Sequence, residues 1–156
     1  MLTKLKSFTV PIVSTILAGV VSATMSYHVS QSVSDRAFQQ SQQENRIRSF
    51  EVTATAFDAQ FQRYAHLVSQ KEAVPDQVQE ELLKLLTEQG SKLEAITREM
   101  PRLKREAEQL DEKLLSAQSA IASRDDFLEM KEVYESVGTM LVVRQDFLSK
   151  AVRALP

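Results

Sequence analysis

Apolar residues return at alternating steps of three and four through most of this chain, a repeat that is satisfied by helices sharing one interior and not by strands. It opens with Ile47, Phe50, Ala54, Phe57, Phe61, Tyr64 and Val68. Several of these are large aromatic rings, which suit a multi-helix core better than a narrow two-stranded zipper. The segment is expected to end near Ala73, because Pro75 disfavours helical geometry at Val74 and cannot donate an N–H of its own. Pro75 followed by Asp76 then suits a fresh helix start.

The repeat resumes at Leu82, Leu86, Gln89, Leu93, Ile96, Met100, Leu103, Ala107, Leu110, Leu114, Ala117 and Ile121. Its phase survives Gly90-Ser91 and Pro101, which predicts one long, bent helix from Asp76 to about Ala122, roughly 70 Å in length. A turn at Gly90-Ser91 would instead divide it and give four helices in place of three. Ser123 and Asp126 form a capping-box pattern ahead of a last helix. That helix carries Phe127, Met130, Tyr134, Val137, Leu141, Leu148, Ala151 and Leu155 on one face, widened by Val133, Met140 and Phe147. Arg144 interrupts this stripe and is expected at an edge with its head in water.

Ahead of the repeat lies Phe8 to Val29, an apolar and small-residue run without a charge, with Lys4 and Lys6 before it. As a helix it would be about 33 Å long, which matches a hydrocarbon core of ~30 Å. The reading is a retained signal-anchor with the basic tail 1–7 in the cytoplasm and the rest of the chain in the periplasm, by the positive-inside rule. The inverted arrangement, with the C-terminal domain cytoplasmic, is one alternative, and secretion after cleavage near Ala23 is another. Small residues at Ser14, Ala18 and Ser22, with Gly19 and Ala23 alongside, would let two such helices approach closely in lipid. Residues 30–46 are rich in Ser and Gln and form a juxtamembrane helix or spacer, and 47–156 form the bundle.

The expected fold is therefore all-α: one N-terminal transmembrane helix followed by an elongated antiparallel three-helix, or four-helix, coiled-coil-like bundle. Its seam is assigned to Ile47, Phe50, Phe57, Phe61, Tyr64, Leu93, Ile96, Leu103, Leu110, Leu114, Phe127, Tyr134, Leu141 and Leu148.

No arrangement of residues suggests catalysis. His28 and His66 have no carboxylate at the spacing of a helical metal site, and His66 falls on the outward side of its helix. Glu80-Glu81, Asp111-Glu112 and Asp125-Asp126 are adjacent, so on a helix each pair diverges by about 100° instead of converging on a substrate. There is no Gly-rich phosphate loop or nucleophile elbow, and no cysteine. No catalytic residue, metal or cofactor is expected. A net charge of −2 without a basic cluster argues against nucleic acid as a partner.

What these parts suit is anchoring and association. The expected partners are the lipid bilayer and either a second copy or another protein of an envelope complex. The leading expectation is a non-enzymatic, membrane-anchored scaffold or interaction subunit of the inner membrane. The alternatives are a single-pass sensor or ligand-binding accessory protein with a helical extracytoplasmic bundle, and a toxin or immunity component. The plan of short amino terminus, single span and long coiled coil also resembles the inner-membrane spanins of phage lysis. From these the chain departs in having no cysteine for a covalent dimer.

Overall fold

The computed structural model describes the backbone of residues 6–70, 74–123 and 130–155, with side chains from residue 34 onward. Every element in it is helical: α1 (Lys6–Ser69), α2 (Asp76–Glu99), a single 3-10 turn at Pro101–Leu103, α3 (Lys104–Ala122) and α4 (Met130–Arg153). The chain divides into two units, Met1–Ser41 and Gln42–Pro156. In the first, Phe38 is exposed. Among the described residues no helix is long and apolar enough to cross a membrane. The run from Phe8 to Val29 has a helical backbone, but its side chains lie outside the described residues, as do those of Ser14, Ala18, Gly19, Ser22 and Ala23. The expected membrane span therefore draws no support from the fold.

The second unit is a four-helix bundle. Pairs of side chains fix the direction of each helix: Arg46 meets Glu99 and Thr53 meets Glu88, so α1 and α2 run antiparallel. Gln79 donates to the Ile121 carbonyl at 2.7 Å and Gln118 to the Thr87 hydroxyl at 3.2 Å, which makes α2 and α3 antiparallel as well. Lys150 near the end of α4 reaches Glu106 near the start of α3 at 3.7 Å. Across the remaining interface Phe50 packs on Phe147, Phe61 on Tyr134, and the Tyr64 hydroxyl points at the Met130 sulfur, so α1 and α4 are antiparallel too.

Two expectations are corrected here. The single bent helix from Asp76 to Ala122 is a hairpin that reverses at Pro101. Met100, barred from helical geometry by the proline after it, sits at φ −128° and ψ 70°, and its N–H closes the last turn of α2 onto the Ile96 carbonyl at 2.8 Å. Both Met100 and Leu103 remain buried, so the reversal itself is pinned into the core. The resulting helices, of 24 and 19 residues, are about 36 and 28 Å long, not 70 Å. Gly90-Ser91, the alternative turn, lies inside α2.

The second correction concerns α4. Its buried face is Met130, Val133, Val137, Met140, Arg144, Phe147 and Ala151. Tyr134 is 40 % exposed, and Leu141 and Leu148 are only partly buried. Met130, Val137 and Ala151 lie on the expected face, while Val133, Met140 and Phe147, expected only to widen it, take the buried places expected of Tyr134, Leu141 and Leu148. Phe127, and the proposed cap running from Ser123 to Asp126, fall in 124–129 or depend on it, outside the described residues. On α1, α2 and α3, Ile47, Phe50, Phe57, Tyr64, Leu93, Ile96, Leu103, Leu110 and Leu114 are buried, and Phe61 packs against them partly buried.

Candidate functional site: a polar layer inside an apolar bundle

Most of the bundle interior is hydrocarbon and aromatic. Phe57, Phe61 and Tyr64 stack in sequence along α1 with ring centroids 5.9 and 5.7 Å apart, and Phe50 meets Phe147 edge-on at 5.9 Å. Rings three and four residues apart on a helix share one face, so this ladder follows from the local geometry of α1.

The exception is a layer at the middle of the bundle. Arg144, on the inner face of α4, is 7 % exposed. One guanidinium nitrogen donates to both oxygens of Asp58 on α1, at 2.7 and 2.6 Å. The other lies 3.5 Å from the Ala54 carbonyl and 3.5 Å from Oε1 of Gln89 on α2, contacts at the outer limit of a hydrogen bond. Gln89 is fully buried, and its Nε2 has no partner among the described residues. The expectation that Arg144 sits at an edge with its head in water is thus overturned: a carboxylate one helix away offers the buried guanidinium a charge-assisted pair. Nothing in the periodicity marks this, because Asp58 lies outside the three-and-four repeat of α1.

A second polar cluster joins α1 to α2 one turn nearer the hairpin. Lys92 bonds the hydroxyl of buried Thr53 and the Ser49 carbonyl, and pairs with Glu88 at 2.8 Å. The ammonium of Lys92 is the main reason that the Glu88 carboxyl titrates below the ordinary range, against a smaller opposing effect of burial. On α4, partial burial raises the Tyr134 phenol, with the neighbouring Tyr64 adding to the shift.

Between α2 and α3 an open groove of about 360 Å³ is lined by Gly90, Leu93, Thr97, Lys104, Ala107 and Asp111. Its charged rim is mostly neutralised locally, with Lys104 3.8 Å from Glu108 and Arg98 2.9 Å from Glu94. Among the described residues no three His, Cys, Asp or Glu side chains gather as metal ligands, and His66 is exposed, with Gln70 as its neighbour at 3.1 Å. The adjacent carboxylates Glu80 and Glu81, and Asp111 and Glu112, are all on the surface.

Arg144 and Asp58 can hold a helix register, because a fork of N–H donors is satisfied only when the two helices are aligned. The chain matches no protein-family model, no curated protein and no solved structure.

Proposed function

We propose that this chain is a non-enzymatic, membrane-anchored helical scaffold or interaction subunit of an envelope assembly, with Phe8 to Val29 crossing the inner membrane, the amino terminus cytoplasmic and the bundle periplasmic. The observation that carries the reading is the filled interior of the bundle. Phe50, Phe57, Leu110 and Phe147 are each exposed by 1 % or less, so the outer surface is where the bundle meets other molecules. Apolar side chains do stand on that surface, among them Val52 and Val142. The uncharged run ahead of the bundle supports the anchor by its length and composition.

Membrane fractionation tests this reading directly. The full chain should resist alkaline carbonate extraction, and added protease should digest the bundle in spheroplasts without lysis. Cross-linking in intact cells should retain a protein partner, whether a second copy or another chain. Release by carbonate together with the absence of any cross-linked product would overturn the proposal, and digestion only after lysis would reverse the orientation.

A further inference from the structure

The groove between α2 and α3 is kept open at Gly90. This glycine stands inside α2, where it weakens the helix relative to alanine, and a Cβ added to it would meet only Asp111 Oδ1, at an ordinary contact distance of 3.6 Å. No contact among the described residues therefore requires the position to lack a side chain. What that lack provides is room in a depression of about 360 Å³, a size that suits a small ligand. The floor is apolar, formed by buried Leu93 of α2 and buried Ala107 of α3.

The polar groups around this floor are nearly all acceptors. Ser91 Oγ donates its proton to the Thr87 carbonyl at 3.3 Å, and Thr97 Oγ1 donates to the Leu93 carbonyl at 2.9 Å. Each hydroxyl is left with lone pairs alone to offer. Glu94, Glu108 and Asp111 add three carboxylates against one cation in the lining, Lys104. Glu94 and Glu108 have cationic neighbours at 2.9 and 3.8 Å, whereas Asp111 has no ion pair or hydrogen bond among the described residues.

Such a lining selects a ligand that carries positive charge and only donates. An anion would meet a rim of net negative charge, and a metal ion would find one free carboxylate beside a hydrocarbon floor. A quaternary ammonium would find no aromatic ring to lie against, because none lines the groove among the described residues. A primary ammonium has N–H donors and no acceptor, which matches what the groove presents.

We infer that the groove between α2 and α3 binds a small primary alkylamine, with its ammonium held by Asp111 and its alkyl chain lying over Leu93 and Ala107. The inference goes beyond the association reading and rests neither on it nor on the anchor.

The test is methyl NMR of the full chain in mild detergent, titrated with hexylamine, hexanol or hexanoate, which share an alkyl body and differ in head group. The methyl signals of Leu93, Thr97 and Ala107 should shift saturably with hexylamine, which is an ammonium at neutral pH. Those of Ala54 on α1 and Ala151 on α4 should stay in place, which separates binding from uptake into detergent. Hexanol should bind more weakly and hexanoate should not bind. Asp111→Asn should weaken hexylamine by about ten-fold, through loss of a charge-assisted hydrogen bond, and leave hexanol unchanged. Gly90→Ala should weaken both while the thermal midpoint holds or rises. Hexanoate shifts equal to those of hexylamine, the same shifts from magnesium chloride alone, or an unchanged hexylamine affinity in either variant would each overturn the inference.

Discussion

Arg144 grips both carboxylate oxygens of Asp58 across the interface between α1 and α4, at 2.7 and 2.6 Å, while its own side chain is 9 % exposed and that of Asp58 is 40 % exposed. The asymmetry in burial sets the consequences of breaking the pair. Without the carboxylate the buried guanidinium keeps only the two 3.5 Å contacts to Ala54 and Gln89; without the guanidinium the carboxylate has water within reach, but buried Gln89 loses its donor.

Asp58→Ala should therefore destabilise the bundle by about 2 kcal/mol in denaturant unfolding, below the full cost of orphaning a deeply buried charge because Asp58 lies partly open to solvent. Arg144→Met should also destabilise, by about 1–3 kcal/mol, because it leaves Oε1 of fully buried Gln89 without its donor. Asp58→Ala and Arg144→Met combined should then cost less than the sum of the two single changes, and strict additivity would mean that the pair is not formed in solution.

The hairpin at Pro101 is tested by distance. Gln79 bonds the Ile121 carbonyl, so spin labels introduced at Glu80→Cys and Ser123→Cys should report a separation under about 20 Å, where one continuous helix would set them on the order of 65 Å apart. A long distance in the intact chain would restore the bent-rod arrangement and dissolve the four-helix bundle.

Phe50 and Phe147 are both essentially inaccessible and meet edge-on at 5.9 Å. Each change to Ala should cost about 3–5 kcal/mol from lost burial and the cavity left behind. The two should be coupled by about 0.5–1.5 kcal/mol in a double-mutant cycle, as expected for an aromatic pair in contact. Strict additivity would mean that the rings do not touch in solution.

The helices of this bundle and the break at Pro75 were legible in the sequence and the reversal at Pro101 was not, for a physical reason visible at Met100 and Leu103. A residue count of three and four persists through Ile96, Met100, Leu103 and Ala107 whether the chain continues straight or doubles back through one 3-10 turn. In both cases the same residues are buried. Periodicity reports which side chains seek a core and is blind to where that core lies. The proline was the better signal, because it removes a backbone donor and excludes Met100 from the helical region, and the reversal satisfies both restrictions. On α4 two adjacent stripes, at Val133, Met140 and Phe147 and at Tyr134, Leu141 and Leu148, compete for one interior. The choice is tied to Asp58 on α1, a long-range partner that no local pattern identifies. The same holds for Gln89, which the repeat assigns correctly to the inside without revealing the cation beside it.

Acid should probe the contact between α1 and α2 through Glu88. Its carboxyl titrates below the ordinary range, chiefly because Lys92 donates to it and secondarily through charge and the Thr53 hydroxyl. A carboxyl whose folded value is depressed adds stability above its unfolded value, near 4.3, and loses it as pH falls through the folded value. The bundle should therefore weaken between about pH 5 and pH 3, and Glu88→Gln should flatten part of that slope. The side chain of Glu88 is 45 % exposed, so solvent screening holds the effect under about 1 kcal/mol, or about 2–4 °C in the midpoint of thermal unfolding. Added salt should shrink it further, and equal slopes for the two proteins at low ionic strength would mean that the Lys92 pair contributes nothing to folding.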